Sequence, residues 1–158
     1  MTWEWTPDTL GALDTFLRDR SITRGPLTTS PIGDGHSNLT FLVFDGDRRV
    51  IVRRPPPPPV PPGAHDMVRE ARLVGALAGT GVPVADVLAV GRAGDVLDVP
   101  FYVMSYVAGP VVTTETPAPL ATPADRRRIG EDLVDTLAAL HAVDWQAAGL
   151  GDLGRPDG

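Results

Sequence analysis

A short glycine-bearing segment near the start of the chain has the composition of a phosphate-binding turn. Residues 33–38 contain Gly33 and Gly35 and end in Ser37 and Asn38. Because glycine has no side chain, a turn built from it lets backbone N–H groups approach a phosphate closely. An ordinary hairpin turn is the alternative interpretation, since a single glycine pair of this spacing is a weak signal.

A carboxylate further along the chain requires a cation. Glu70 shares one side of a predicted helix with Leu73, Val74 and Leu77. A carboxylate that points toward a core is costly unless a positive charge meets it. All 14 basic residues are arginine, so the chain offers arginine rather than lysine for this purpose. The alternative is an exposed ion pair of little energetic weight.

Three helices are predicted from apolar spacing and from the signals at their ends. Residues 7–19 follow a threonine cap and begin with a proline, which suits the first helical position. Residues 65–78 end at a glycine-rich stretch, and a helix from residue 123 to about 143 again follows a threonine and begins with a proline. These elements would carry the carboxylate and pack against a sheet.

Five strands are predicted around the middle helix. They begin near Leu27 and then cover residues 38–44, 50–53, 82–90 and 101–107. The first three form an antiparallel meander, because a glycine-bearing loop and an Asp-Gly turn connect them. Between the third strand and the helix, residues 55–62 hold seven prolines in eight positions. This run must be a loop, since proline lacks the N–H that a helix or a central strand needs.

Composition excludes several classes of function. The 14 basic and 20 acidic side chains give a net charge of −6, which disfavours binding to nucleic acid or to an anionic membrane. The chain has no cysteine, so disulfides, thiolate nucleophiles and cysteine-bound metals are excluded. The amino terminus does not have the basic and apolar pattern of a secretion signal, and no apolar run approaches the length that spans a bilayer, so we expect neither secretion nor membrane insertion. A cytoplasmic protein is expected, and the arginine-only, glycine- and proline-rich composition is typical of a bacterial genome rich in G and C.

Five short motifs follow one another in an order that resembles the aminoglycoside phosphotransferase family, which has the protein-kinase-like fold. The nearest branch comprises uncharacterised bacterial phosphotransferases and the kinase-like domains fused to acyl-CoA dehydrogenases. The motifs are Gly33-Asp34-Gly35-His36-Ser37-Asn38, Val50-Ile51-Val52-Arg53-Arg54-Pro55-Pro56, Val68-Arg69-Glu70, Phe101-Tyr102-Val103-Met104 and Leu140-His141-Ala142-Val143-Asp144.

The resemblance implies an α+β fold. Residues 1–107 would form a protein-kinase-like small lobe that binds nucleotide, with a five-stranded antiparallel sheet, one packed helix and an additional amino-terminal helix. Residues 108–158 would form a linker and the first long helix of a truncated large lobe. The apolar face of that helix would be uncovered, which favours self-association.

The resemblance also implies a set of nucleotide-binding residues. In kinase-like folds a cation on the third strand holds the phosphates of ATP and is itself held by a helix glutamate. Strand alternation places Arg53 and Arg54 on opposite faces, and we choose Arg53 as the partner of Glu70. The phosphates would lie under Gly33, Gly35, Ser37 and Asn38. Met104 would lie behind the nucleobase, and the main chain of Ser105 to Val107 would form hydrogen bonds with it. The alternative for Met104 is an ordinary core methionine.

The resemblance places the catalytic residues elsewhere. In this fold an aspartate, a nearby asparagine and a second acidic residue that binds magnesium follow the second long helix. We therefore expect no catalytic residue and no metal ligand in this chain, which resembles roughly the first half of the enzyme. Its parent would transfer phosphate from ATP, with magnesium, to a hydroxyl of a small molecule.

Two other functions are compatible with the sequence. The chain could be a non-catalytic nucleotide-binding or protein-interaction module, like a pseudokinase. The proline run could instead dock onto an SH3-like partner, although its place between a strand and a helix favours a spacer.

Overall fold

The computed structural model describes residues 3–33, 37–59, 61 and 64–153. The described residues within 1–75 and 85–106 form one compact unit, and those within 76–84 and 107–158 form another. The elements in chain order are α1 (Pro7–Asp19), β1 (Thr28–Ile32), β2 (Leu39–Phe44), β3 (Arg49–Arg54), α2 (Met67–Leu77), β4 (Val87–Gly91), β5 (Phe101–Ser105) and α3 (Pro123–His141).

The first unit contains the five-stranded antiparallel sheet that the sequence predicts. Its strand order is β1-β2-β3-β5-β4, and every neighbouring pair is antiparallel. The predicted meander of β1, β2 and β3 is confirmed. Asp45 shapes the turn after β2, because its carboxylate accepts hydrogen bonds from the backbone N–H groups of Arg24, Asp47 and Arg48. These hydrogen bonds hold the pKa of Asp45 far below its usual value.

Helix α1 packs on one face of the sheet, and its predicted bounds are confirmed. The Thr6 hydroxyl accepts from the Thr9 N–H at 3.2 Å, and the Thr9 hydroxyl accepts from the Thr6 N–H at 3.0 Å. Two N–H groups that lack a helical partner are thereby satisfied. The apolar stripe of α1 then joins inward residues of the strands in one buried cluster, which includes Leu13, Phe16, Leu17, Val43, Val52, Phe101 and Val103.

Helix α2 packs on the opposite face. Its buried residues Met67 and Ala71 form a second cluster with Tyr102 of β5, against which Val87 and Met104 also pack. Because successive strand residues point to opposite faces, Tyr102 and Met104 lie on the α2 side while Phe101 and Val103 lie on the α1 side. This alternation decides which strand residues can meet Glu70.

Several predicted elements were too long at one end. The structure begins β4 at Val87 rather than at residue 82, because Pro83 cannot donate to a ladder and Gly81 has a φ of +89°. It ends β5 at Ser105 rather than at residue 107. It also begins α2 at Met67, since His65 has a φ of +59°, which is not helical.

The second unit contains α3, which begins where Thr122 caps the N–H of Asp125 at 3.2 Å. Its predicted apolar face is solvent-exposed, with Leu133 at 69% and Leu137 at 49% exposure. Among the described helices, none is both long and apolar enough to cross a membrane.

The packing between β4 and β5 yields the first prediction. Gly91 pairs with Phe101, and a Cβ atom at position 91 would collide with that buried ring. We expect Gly91→Ala to destabilise the fold by about 1–3 kcal/mol, as overpacking does, lowering the melting temperature by several degrees. Gly11 in α1 has open space around it, so Gly11→Ala should be neutral or stabilise by up to about 1 kcal/mol. Equal melting temperatures for the two variants would contradict this packing.

Candidate functional site

A row of paired residues crosses the sheet on its α2 side. Ile32 of β1 pairs with Thr40 of β2, Thr40 pairs with Arg53 of β3, and Arg53 pairs with Tyr102 of β5. Side chains of directly paired residues lie on one face, close enough to interact. The register therefore brings a hydroxyl, a guanidinium and a phenol together beneath α2.

Arg53 and Glu70 form an ion pair at this row. The Arg53 Nε and the Glu70 Oε1 are 2.5 Å apart, and the two side chains are 29% and 30% exposed. The same guanidinium donates from Nη1 to the Thr40 hydroxyl at 3.0 Å. The pair is therefore partly desolvated and held on both sides, unlike a freely hydrated surface ion pair.

Two further donors complete the surroundings of Glu70. The Tyr102 hydroxyl donates to Oε1 at 2.9 Å, and the Asn38 side-chain amide donates to Oε2 at 2.9 Å. Burial, reinforced by the negative charge of Glu70, raises the pKa of Tyr102 well above its usual value of 10. Tyr102 consequently remains a hydrogen-bond donor at any physiological pH.

Arg54, the other candidate cation, lies on the α1 side. Its guanidinium stacks over the Trp3 ring at 4.0 Å and donates from Nε to the carbonyl of Pro55. Arg54 is buried, and this burial lowers its pKa. The choice between the two arginines thus follows from the pleat of β3, and Arg53 is the one that meets Glu70.

The remaining residues predicted over the phosphates differ in their surroundings. Gly33 is exposed and has a φ of +76°, a conformation that favours glycine. Ser37 is also exposed. Asn38 is half-buried, and both ends of its amide are engaged, since its Oδ1 lies 2.6 Å from Nδ1 of His65. Gly35 lies outside the described residues.

The residues predicted around the nucleobase differ in their environments. Met104 pairs with Ile51 on the α2 side, and it also packs against the cluster of α2. The Ser105 N–H donates to the carbonyl of Asp86 at 2.9 Å, and the Ser105 hydroxyl accepts from the Asp86 N–H. The backbone N–H of Ser105 is therefore already used. Val107 belongs to the second unit and is 69% exposed.

A cavity of about 290 Å³ opens on the same face of the sheet. Arg49 lies within 6 Å of two ring centroids there, at 5.6 Å from that of Phe44 and 5.7 Å from that of Tyr106. The cavity is also lined by Ser30 and Leu42. Leu42 pairs with Ile51, so this space adjoins the Arg53 row on the same face of the sheet.

The site fits a phosphate better than a metal ion. Arg53 uses two of its five N–H groups within the described residues, which leaves three for an anion. In that same part of the chain, no group of three or more His, Asp or Glu side chains could hold a metal.

The five-stranded sheet with its inserted helix is consistent with the small lobe of a kinase-like fold. The model of the phosphotransferase enzyme family, APH, matches residues 28–158, and the chain belongs to that family. The resemblance inferred from the motifs is confirmed.

Individual relatives agree with this assignment. A crystal structure of a putative aminoglycoside phosphotransferase from Ralstonia eutropha JMP134 superimposes with a TM-score of 0.74 at 35% identity, covering 92% of this chain and 42% of that one. Acyl-CoA dehydrogenase family member 10 of mouse is 32% identical over 91% of this chain, and family member 11 of human is 34% identical over 87%. The chain spans only 14% and 17% of the lengths of these two relatives.

Sequence reasoning missed three residues of this site: Thr40, His65 and Tyr102. Two-residue alternation along β5 could have placed Tyr102 on the same face as Met104. Thr40 required the register between β2 and β3. His65 follows a loop whose path cannot be predicted from the sequence, so no sequence pattern could predict that His65 contacts Asn38.

The environment of Tyr102 yields the second prediction. Because its pKa is raised on folding, its contribution to stability is complete below about pH 10, the unfolded pKa, and is lost as the pH rises further. We expect the free energy of unfolding, measured with denaturant, to fall by about 1.4 kcal/mol between pH 9 and pH 11 through this group. Tyr102→Phe should remove that loss, whereas Thr40→Val should retain it. An unchanged loss in Tyr102→Phe would contradict the buried hydrogen bond to Glu70.

Proposed function

We propose that this chain is the nucleotide-binding part of an ATP-dependent phosphotransferase that acts on a hydroxyl group of a small molecule. The observation that carries the proposal is the Arg53–Glu70 ion pair on the α2 side of the sheet, at 2.5 Å and about two-thirds buried. Kinase-like enzymes hold the phosphates of ATP with such a pair. Membership of the phosphotransferase family supports the same role.

The phosphates would lie against Arg53 and the segment that contains Gly33, Gly35 and Ser37. The nucleobase would lie two residues further along the strands, about 7 Å away, against Met104 and the residues after it. Magnesium would accompany the triphosphate. Since the chain spans a small part of its relatives, we assign the catalytic aspartate, the metal ligands and the acceptor pocket to residues outside it. Use of ATP and the absence of cysteine fit the cytoplasm of a bacterium.

A non-catalytic module is the second candidate. The observation that favours it is the apolar face of α3, where Leu133, Val134, Leu137 and Leu140 are 69%, 65%, 49% and 42% exposed. Apolar surface of this kind marks a contact with another protein surface. A second copy of this chain is the simplest such partner, and self-association would then accompany nucleotide binding.

The third prediction tests nucleotide binding. Saturating Mg-ATP, at about 100 times its dissociation constant, should stabilise the chain by about 2.7 kcal/mol, which corresponds to a rise of several degrees in melting temperature. Glu70→Gln should weaken binding by about tenfold or more, because Arg53 then loses the carboxylate that orients it. Isothermal titration calorimetry and thermal unfolding would measure both effects.

The chain provides a matched control for this variant. Arg127 and Glu131 form an exposed ion pair at 2.8 Å in α3, so Glu131→Gln makes the same chemical change away from the site. We expect it to leave nucleotide affinity unchanged. A wild-type chain that shows no binding at millimolar Mg-ATP would overturn the proposed function.

The fourth prediction concerns α3. Replacing Leu133 and Leu137 together by glutamate should reduce any self-association, because both changes place charge on the exposed apolar face. Sedimentation velocity at several concentrations would measure the effect. A wild-type chain that stays monomeric throughout would eliminate the second copy as the partner of this face.

A further inference from the structure

The orientation of the Asn38 amide follows from its two partners. A carboxylate can only accept, so the group that faces Glu70 Oε2 at 2.9 Å must be the Nδ2 amide. The Oδ1 atom therefore faces His65, whose Nδ1 lies 2.6 Å away. Since a carbonyl oxygen cannot donate, Nδ1 of His65 must carry a proton. The hydrogen bonds thus run in one direction, from His65 through Asn38 to Glu70.

These residues connect two segments that the sheet does not join. Asn38 is the last residue before β2 and ends the glycine-bearing segment. His65 lies two residues before α2, in a left-handed backbone conformation with a φ of +59° that residues other than glycine adopt less readily. The side-chain contacts therefore tie the end of the glycine-bearing segment to the start of α2.

The same contacts determine how Arg53 is presented. The Oε1 atom of Glu70 accepts hydrogen bonds from Arg53 and Tyr102, and its Oε2 atom accepts one from Asn38. With both oxygens engaged, the plane of the carboxylate is fixed, and so is the guanidinium that pairs with it. The orientation of the remaining N–H groups of Arg53 is thereby fixed.

We propose that Asn38 and His65 act together as a latch, and that Asn38 is a positioning residue rather than a ligand of the phosphates. The inference rests on the proposed nucleotide-binding function. The latch couples Asn38, at the described end of the glycine-bearing segment, to the Arg53–Glu70 pair, so that Arg53 is presented to the phosphates in a fixed position. His65 acts only through Asn38, and Tyr102 supports the same carboxylate from the opposite side.

Nuclear magnetic resonance tests the latch without any nucleotide. Asn38 is the only asparagine and Gln146 the only glutamine of the chain, so the spectrum contains just two side-chain amide groups. His65→Ala should shift the amide signal of Asn38 and leave that of Gln146 in place. His141→Ala, which removes an exposed histidine of α3, should shift neither. If the Asn38 amide signal does not shift in His65→Ala, the proposed latch is wrong.

Calorimetry with Mg-ATP, the fifth prediction, tests what the latch does. Asn38→Ala and His65→Ala should each weaken binding by about tenfold. The double variant should bind no more weakly than Asn38→Ala, because His65 acts through the missing amide. His65→Gln should recover most of the affinity, since its amide can donate to Oδ1 in place of the imidazole. This rescue separates positioning from a general loss of structure.

Three results would count against the inference. Additive losses in the double variant would show that the two residues act independently, and unchanged affinity in both single variants would show that the latch does not act on binding. A chain that binds no Mg-ATP although its Asn38 amide responds to His65→Ala would overturn the proposed function and the positioning role together. Because the amide signal is read without nucleotide, that result is distinguishable from failure of the latch itself.

Discussion

A single carboxylate controls the polar side of this small sheet. Glu70 points from α2 toward the strands, where it is about two-thirds buried. Leaving such a charge without donors would cost several kcal/mol, so the position of α2 depends on the groups that satisfy it. Those groups come from three places in the chain, namely β3, β5 and the residue before β2. The ion pair therefore fixes a helix, two strands and one loop end relative to each other.

The pleat of the sheet separates the polar side from the apolar one. Most buried residues that face α1 form one apolar cluster, while those that face α2 include an apolar cluster around Met67 and the polar row at Arg53. Arg53 and Arg54 are adjacent in sequence and chemically identical, yet one pairs with a carboxylate and the other stacks on Trp3. Their environments differ only because successive strand residues point to opposite faces.

Much of this arrangement could be predicted from the sequence. Apolar periodicity gives three helices and five strands, and the inward glutamate of α2 already requires a cation. What could not be predicted depends on register. The predicted start of β4 is wrong near Pro83, because the apolar pattern continues there but proline has no backbone N–H to donate to the sheet. Thr40 and Tyr102 meet Arg53 only because β2, β3 and β5 pair in one particular alignment, and sequence periodicity does not specify such an alignment. His65 follows the proline-rich loop, and its contact with Asn38, 27 residues earlier, is a long-range contact that periodicity does not specify.

The use of arginine where kinase-like folds commonly have lysine has a structural consequence. A lysine ammonium is a point charge, whereas a guanidinium is a planar fork whose edges can serve different partners. Arg53 places Nε on Glu70 and Nη1 on Thr40, so different edges of the guanidinium hold different partners. A lysine at this position could not hold both partners in that fixed plane. The hydroxyl of Thr40 and the three-donor environment of Glu70 are therefore the features that adapt this site to arginine, in a chain that contains no lysine.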